Sequence, residues 1–239
     1  MNNNARYAYR DITNTIGTKL RSEWDYPISS KFNPSSKYED GKGHFIAIEG
    51  VSASGKETQL GPLRRWVNRN RHICFSTCGD YSNWTPQPAQ YAYSEIFSNT
   101  KYMKRFYFTT HFFCGFYEYR KGGIPTENID QPIIDFHKPL DLYTPPEMII
   151  LLDIDPDIAR LRMLKEEKDN RYTMVKRDLD LEKKDRESYL KIAKANPDRW
   201  FIVNADQPIS YVAYDVCSAM EKYFHDDLIA HRYRKYTIS

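Results

Sequence analysis

Residues Glu49 to Gln59 read EGVSASGKETQ. Within them Gly50–Val51–Ser52–Ala53–Ser54–Gly55–Lys56 spells G-x-x-x-x-G-K, the spacing of a loop that wraps a chain of phosphates. Glycines let successive backbone amides turn toward an anion, the start of a following helix adds partial positive charge, and the lysine reaches the outer phosphates. The chemistry implied is the binding of a nucleotide's β- and γ-phosphates. One residue departs from the pattern: Glu57 stands where a Ser or Thr hydroxyl would hold Mg²⁺. A carboxylate can ligate magnesium, but it also sets negative charge beside the phosphates. Thr58 follows, yet one position on is about 100° round a helix, so it cannot simply take over.

Such a loop needs a buried strand before it and a helix after it. HFIAIEG, from His44, is a short apolar run ending in glycine, the pattern of a buried strand. KETQLGPLRRWVNRN predicts a helix that Gly61–Pro62 should disturb. HICFST predicts a second strand, and the very aromatic stretch from Ala89 to Arg120 is expected to be mostly helical. Pro125, Pro132, Pro139, Pro145 and Pro146 exclude long elements between residues 121 and 146. EMIILLDID is the clearest strand, followed by a helix with Asp155 as N-cap and Pro156 at its first position. A helix over Asp180–Ala195, a strand at WFIVNA and a closing helix at SYVAYDVCSAMEKYF complete the pattern. Strands alternating with helices predict an α/β domain with a parallel sheet covered on both faces, over residues 44–225.

Composition bounds what surrounds this domain. Residues 1–43 are rich in Asn, Ser, Pro and Gly and read as an N-terminal extension, while residues 226–239 read as a basic tail. A net charge of +3 is too small to argue for nucleic acid, and no run approaches the eighteen apolar residues of a transmembrane helix. The four cysteines read as reduced structural thiols rather than a zinc site. Arg6 and Arg10 precede the first acid, a faint mitochondrial presequence signal that Asp11, Glu23 and Asp25 dilute.

Three separated blocks resemble the thymidylate kinase family. FIAIEGVSASGKETQL is similar to FIxxEGxxGxGKSTQ, and PEMIILLDIDPDIARLRMLK to PDLTIYLDVDPEEALRR. YLKIAKANPDRWFIVNADQPISYV is similar to YLELAxxxPDRWxVIDAxxPIEEV, so the resemblance runs over about residues 44–224. It implies a P-loop nucleoside-monophosphate-kinase fold, with a parallel five-stranded (or reduced) sheet between helices and a mobile lid. It implies a nucleotide-binding set of Gly50, Ser52, Ser54, Gly55, Lys56, Glu57 and Thr58 at the phosphates, with Arg162 and Ala205 beside adenine and Arg171 in the lid. In an active member Lys56 and Arg171 would stabilise the phosphoryl passing from ATP to dTMP, and Glu57 and Asp153 would hold Mg²⁺.

Several positions depart from the family. HFFCGFYEY, aligned with LLFCANRWE, places Tyr117 where an arginine contacts the acceptor phosphate, and Arg120 lies one helical turn along. The family's strand ending in Asp-Arg-Tyr/His has PIIDFH as its best remnant, with Asp135 and His137 flanking Phe136 at the arginine position. On that alignment the strand is vestigial or the whole unit is missing. After the second strand, Asp80 replaces a basic or neutral contact. Losing cations and a metal ligand together predicts decay of catalysis, since phosphoryl transfer rests on positioning and charge neutralisation. The expected role is a catalytically inactive accessory subunit that meets other protein subunits through residues 1–43 and the C-terminal tail and binds ATP or another nucleotide. A mitochondrial assembly such as respiratory complex I, which in animals carries an accessory subunit resembling a deoxynucleoside kinase, is a fold-level analogy for it. The alternative is an active deoxynucleoside-monophosphate kinase.

Overall fold

The computed structural model describes residues 43–69, 74–77, 106–110, 112–119, 123–137, 145–168 and 178–236. Five parallel strands form one sheet: β1 (His44–Glu49), β2 (Cys74–Thr77), β3 (Phe106–Thr110), β4 (Met148–Asp153) and β5 (Trp200–Asn204), in the order β2-β3-β1-β4-β5. The helices are α1 (Lys56–Arg69), α2 (Phe112–Tyr119), α3 (Gln131–His137), α4 (Pro156–Lys168), α5 (Leu179–Ala195) and α6 (Ile209–Tyr236). The expected parallel α/β fold with five strands is therefore present.

The apolar runs of β1 and β4 form strands because both faces of the sheet are covered, which calls for continuous rather than alternating hydrophobicity. Side chains alternate between two cores. Phe45 and Ala47 of β1, with Ile149 and Leu151 of β4, pack under Phe112, Phe113, Phe116, Tyr189 and Ile192 of α2 and α5. Their neighbours Ile46, Ile48, Ile150 and Leu152 face Leu63, Val67, Val216 and Phe224 of α1 and α6 on the other side. Register is fixed at the centre, where Ile46 pairs with Phe108 of β3 and with Met148 of β4. All these strands point their C-terminal ends at the same edge, and the phosphate loop leaves β1 there.

The structure corrects four expectations. Phe106–Thr110 is the buried strand β3, where the sequence suggested helix. A five-residue apolar run buried on both faces carries no periodicity, and its aromatic neighbours continue the same composition into α2. Conversely PIIDFH belongs to helix α3, and Asp135 is an exposed residue whose carboxylate accepts from the Gln131 side chain at 2.9 Å. Between β2 and β4 the sheet holds β3, followed by α2 and α3. Finally, α1 runs through Gly61–Pro62 without a break. Packing against β2 and α6 holds the turn despite the donor that Pro62 lacks. The closing helix α6 continues to Tyr236, through most of the stretch read as a tail.

Residues 1–42, which hold nearly all of the N-terminal extension, lie outside the described residues, as do Cys78, Asp80, Arg120 and Arg171.

Candidate nucleotide site

The site is built on the end of β1. Glu49, wholly buried, accepts a hydrogen bond from the Phe113 amide of α2 at 2.9 Å and from the Tyr189 hydroxyl of α5 at 2.7 Å. One carboxylate thereby joins the loop's entry to two helices. The chain then turns at Gly50, whose φ of +145° lies in the region open to glycine. The Leu152 carbonyl of β4 would lie 2.6 Å from a Cβ at that position, so the absence of a side chain is what lets the loop lie against the sheet. Ala53 at φ +56° and the Ser54 amide, donating to the Val51 carbonyl at 3.2 Å, tighten the turn into α1.

Lys56, only 2 % exposed, folds back onto the loop, its Nζ donating to the carbonyls of Gly50 at 2.8 Å and Val51 at 3.0 Å. Those bonds hold the ammonium over the loop it would share with a phosphate. Glu57 is exposed in the first turn of α1, Thr58 is half-buried, and Ser54 is buried under the loop.

The two residues expected beside adenine come together. Arg162 of α4 donates to the Ala205 carbonyl at 3.0 Å, just beyond β5, with Asp206 3.7 Å away. Asp153 at the end of β4 meets a partner that the sequence did not announce. Arg186 of α5 grips its two oxygens at 2.7 and 3.1 Å, and this hydrogen bond, with the charge of Asp153 and Asp155, raises the guanidinium above its ordinary pKa. Asp155 serves mainly as the N-cap of α4, accepting from the Asp157 amide at 2.8 Å.

Tyr117 is a core residue of α2 whose hydroxyl donates to the Ile129 carbonyl at 2.8 Å, so it is not aimed at a substrate phosphate. At the end of β3 stand Thr109 and Thr110. Thr109 and Thr110 are both buried and neutral.

Two side chains of α5 at the site escaped the sequence reading, Arg186 and Glu182. Glu182 is buried, and one of its oxygens accepts from the Ser52 amide at 3.1 Å while the other accepts from the Ser52 hydroxyl. The 130 residues between them leave no local signal. Only the i, i+4 spacing of Glu182 and Arg186, which puts both on one helix face, could have drawn notice.

Magnesium does not fit this donor set well. Glu57 replaces the loop hydroxyl and is exposed at the helix start, Asp153 is held by Arg186, and no cluster of three His, Cys, Asp or Glu occurs among the described residues.

A phosphate-type loop between β1 and α1, at the C-terminal edge of a parallel β2-β3-β1-β4-β5 sheet, defines a P-loop kinase fold. Within that class the chain is similar, over part of its length, to thymidylate kinases. The "Thymidylate kinase" family model matches residues 133–216, from α3 into the first third of α6. Thymidylate kinases of Bacillus thuringiensis (strain Al Hakam) and Bacillus cereus (strain AH187) are 32 % identical over 76 residues, 32 % of this chain. That alignment spans 36 % of each relative's own length, about a third. The crystal structure of thymidylate kinase from Ehrlichia chaffeensis superposes with a TM-score of 0.50 at 18 % identity, covering 75 % of this chain and 99 % of that one.

Proposed function

We propose that this chain is a thymidylate-kinase-like protein that binds ATP or a related nucleotide without turning it over, as an accessory subunit of a larger, mitochondrial assembly. The observation that carries the reading is the end of β3. Where an active family member is expected to place Asp-Arg, this chain has buried, neutral Thr109 and Thr110. A transferring phosphoryl group needs cations around it, and a lost arginine at such a site costs orders of magnitude in rate. Glu57 at the loop's magnesium position and the capture of Asp153 by Arg186 point the same way.

The nucleotide-binding half of the proposal rests on the preserved loop. Lys56 lies over it, and Arg162 meets Ala205 on the adenine side. The subunit half rests on the surface. Ile209, Tyr211 and Tyr214 at the start of α6 are each more than half exposed. Exposed tyrosines and aliphatics grouped in this way suit contact with another protein. The mitochondrial placement rests on the arginine-first N-terminus and on the fold-level analogy alone.

Native purification tests the subunit role. Extracted gently from its source and sized without denaturant, the protein is expected to migrate well above its 28.3 kDa and to bring a constant set of partner chains. A free monomer that retains the full chain would contradict the accessory role.

A further inference from the structure

We propose that Glu182 is a built-in competitor for the anion that the phosphate loop binds, so that a polyphosphate enters only by expelling it. The inference deepens the nucleotide-binding reading and rests on it. Its ground is the pairing of both Glu182 oxygens with the amide and the hydroxyl of Ser52, in the middle of the G-x-x-x-x-G-K loop. A carboxylate there does what a phosphate oxygen does: it is an anion accepting a backbone N–H and a hydroxyl in a partly desolvated loop. The residue comes from the first turn of α5, far along the chain, and is 6 % exposed, so water does not readily share its place.

Two negative groups cannot both hold these donors. A phosphate arriving at the loop meets Glu182 at contact distance, where like charges repel strongly in a medium less polar than water. The structure also shows where a released carboxylate can go. Beside the pair lies a small cleft lined by Ser52, Pro156, Ala159, Arg160, Met163 and Glu182 itself, so Arg160 of α4 borders the same space as the carboxylate. Exchange of the Ser52 donors for the Arg160 guanidinium keeps the charge paired. Since Arg186, one turn further along α5, remains on Asp153, the helix stays anchored while its first turn lets go of the loop.

The full chain is titrated with inorganic tripolyphosphate by calorimetry, as wild type and as Glu182→Gln. The glutamine keeps the side chain's size and removes its charge, and binding is expected to tighten about tenfold or more. Glu182→Ala, which removes the carboxylate and leaves both Ser52 donors in place, guards against misfolding of the first variant and is expected to tighten binding by a similar factor. In wild type, amide hydrogen exchange over residues 179–183 is followed with and without the same ligand. Exchange there is expected to quicken on binding, because the first turn of α5 loses its tie to Ser52. Equal affinities for wild type and both variants, or exchange in that turn that is unchanged or slower in the bound protein, overturn the competitor role while leaving phosphate binding in place. No binding by any of the three chains overturns the competitor role together with the nucleotide-binding reading.

Discussion

Gly50→Ala is expected to cost about 3 kcal/mol or more of stability and to remove phosphate binding altogether, as read by denaturant unfolding and by titration with tripolyphosphate. Two effects add. The backbone sits at φ +145°, a region that residues with a Cβ enter only under strain. The new methyl carbon would also fall 2.6 Å from the Leu152 carbonyl and 2.8 Å from Ser54 Oγ. Neither neighbour can retreat far: Leu152 belongs to the β4 ladder, and Ser54 is buried beneath the loop. Relief requires the loop to lift off the sheet, which moves Lys56 and the Ser52 amide together. Gly61→Ala is the control. Gly61 lies within α1, its nearest potential contact is the Arg65 side chain at 3.8 Å, and alanine is the better helix former by about 1 kcal/mol. That variant should match or exceed wild-type stability.

Glu49→Ala is expected to cost about 2–5 kcal/mol, because it orphans two buried donors and opens a void in the core. The Phe113 amide and the Tyr189 hydroxyl both give their hydrogen to this one carboxylate, and Glu49 itself is 0 % exposed. Tyr189→Phe separates the contributions. It removes one donor and leaves the carboxylate its bond to the Phe113 amide, so it should cost less, about 1.5–3 kcal/mol. The two changes should be strongly non-additive, as groups that share a hydrogen bond are. A Glu49→Ala protein as stable as wild type would show that the bolt between β1, α2 and α5 holds nothing.

The parts of the fold that were legible in the sequence are those where local chemistry and burial agree. β1 and β4 are apolar runs ended by a glycine or an acid, and Asp155–Pro156 marks the start of α4 as clearly as a cap can. β3 was hidden because nothing local separates FYFTT from the aromatic helix that follows it. Its strand state is set by pairing with β1 and β2, contacts that no window of sequence contains. At the site, the glycine–lysine loop announced itself, and the meeting of Arg162 with Ala205 was reachable through the family resemblance. Glu182 and Arg186 were not, since their partners Ser52 and Asp153 are brought to them only by the packing of α5 across the sheet's edge.

On the proposed reading, the site keeps the means to hold phosphate and has lost charges needed to move it. Restoring one residue should therefore not restore a reaction: Glu57→Ser returns a hydroxyl to the loop and leaves Thr109 and Thr110 at the end of β3. The most direct measurement is a turnover assay on the full chain with ATP, Mg²⁺ and dTMP, run beside thermal unfolding in the same mixture. The account predicts a rise in unfolding temperature with ATP and no formation of ADP or dTDP, in wild type and in Glu57→Ser alike. Product formation at about 1–100 per second, the ordinary range for kinases, and its loss in Lys56→Ala would contradict it.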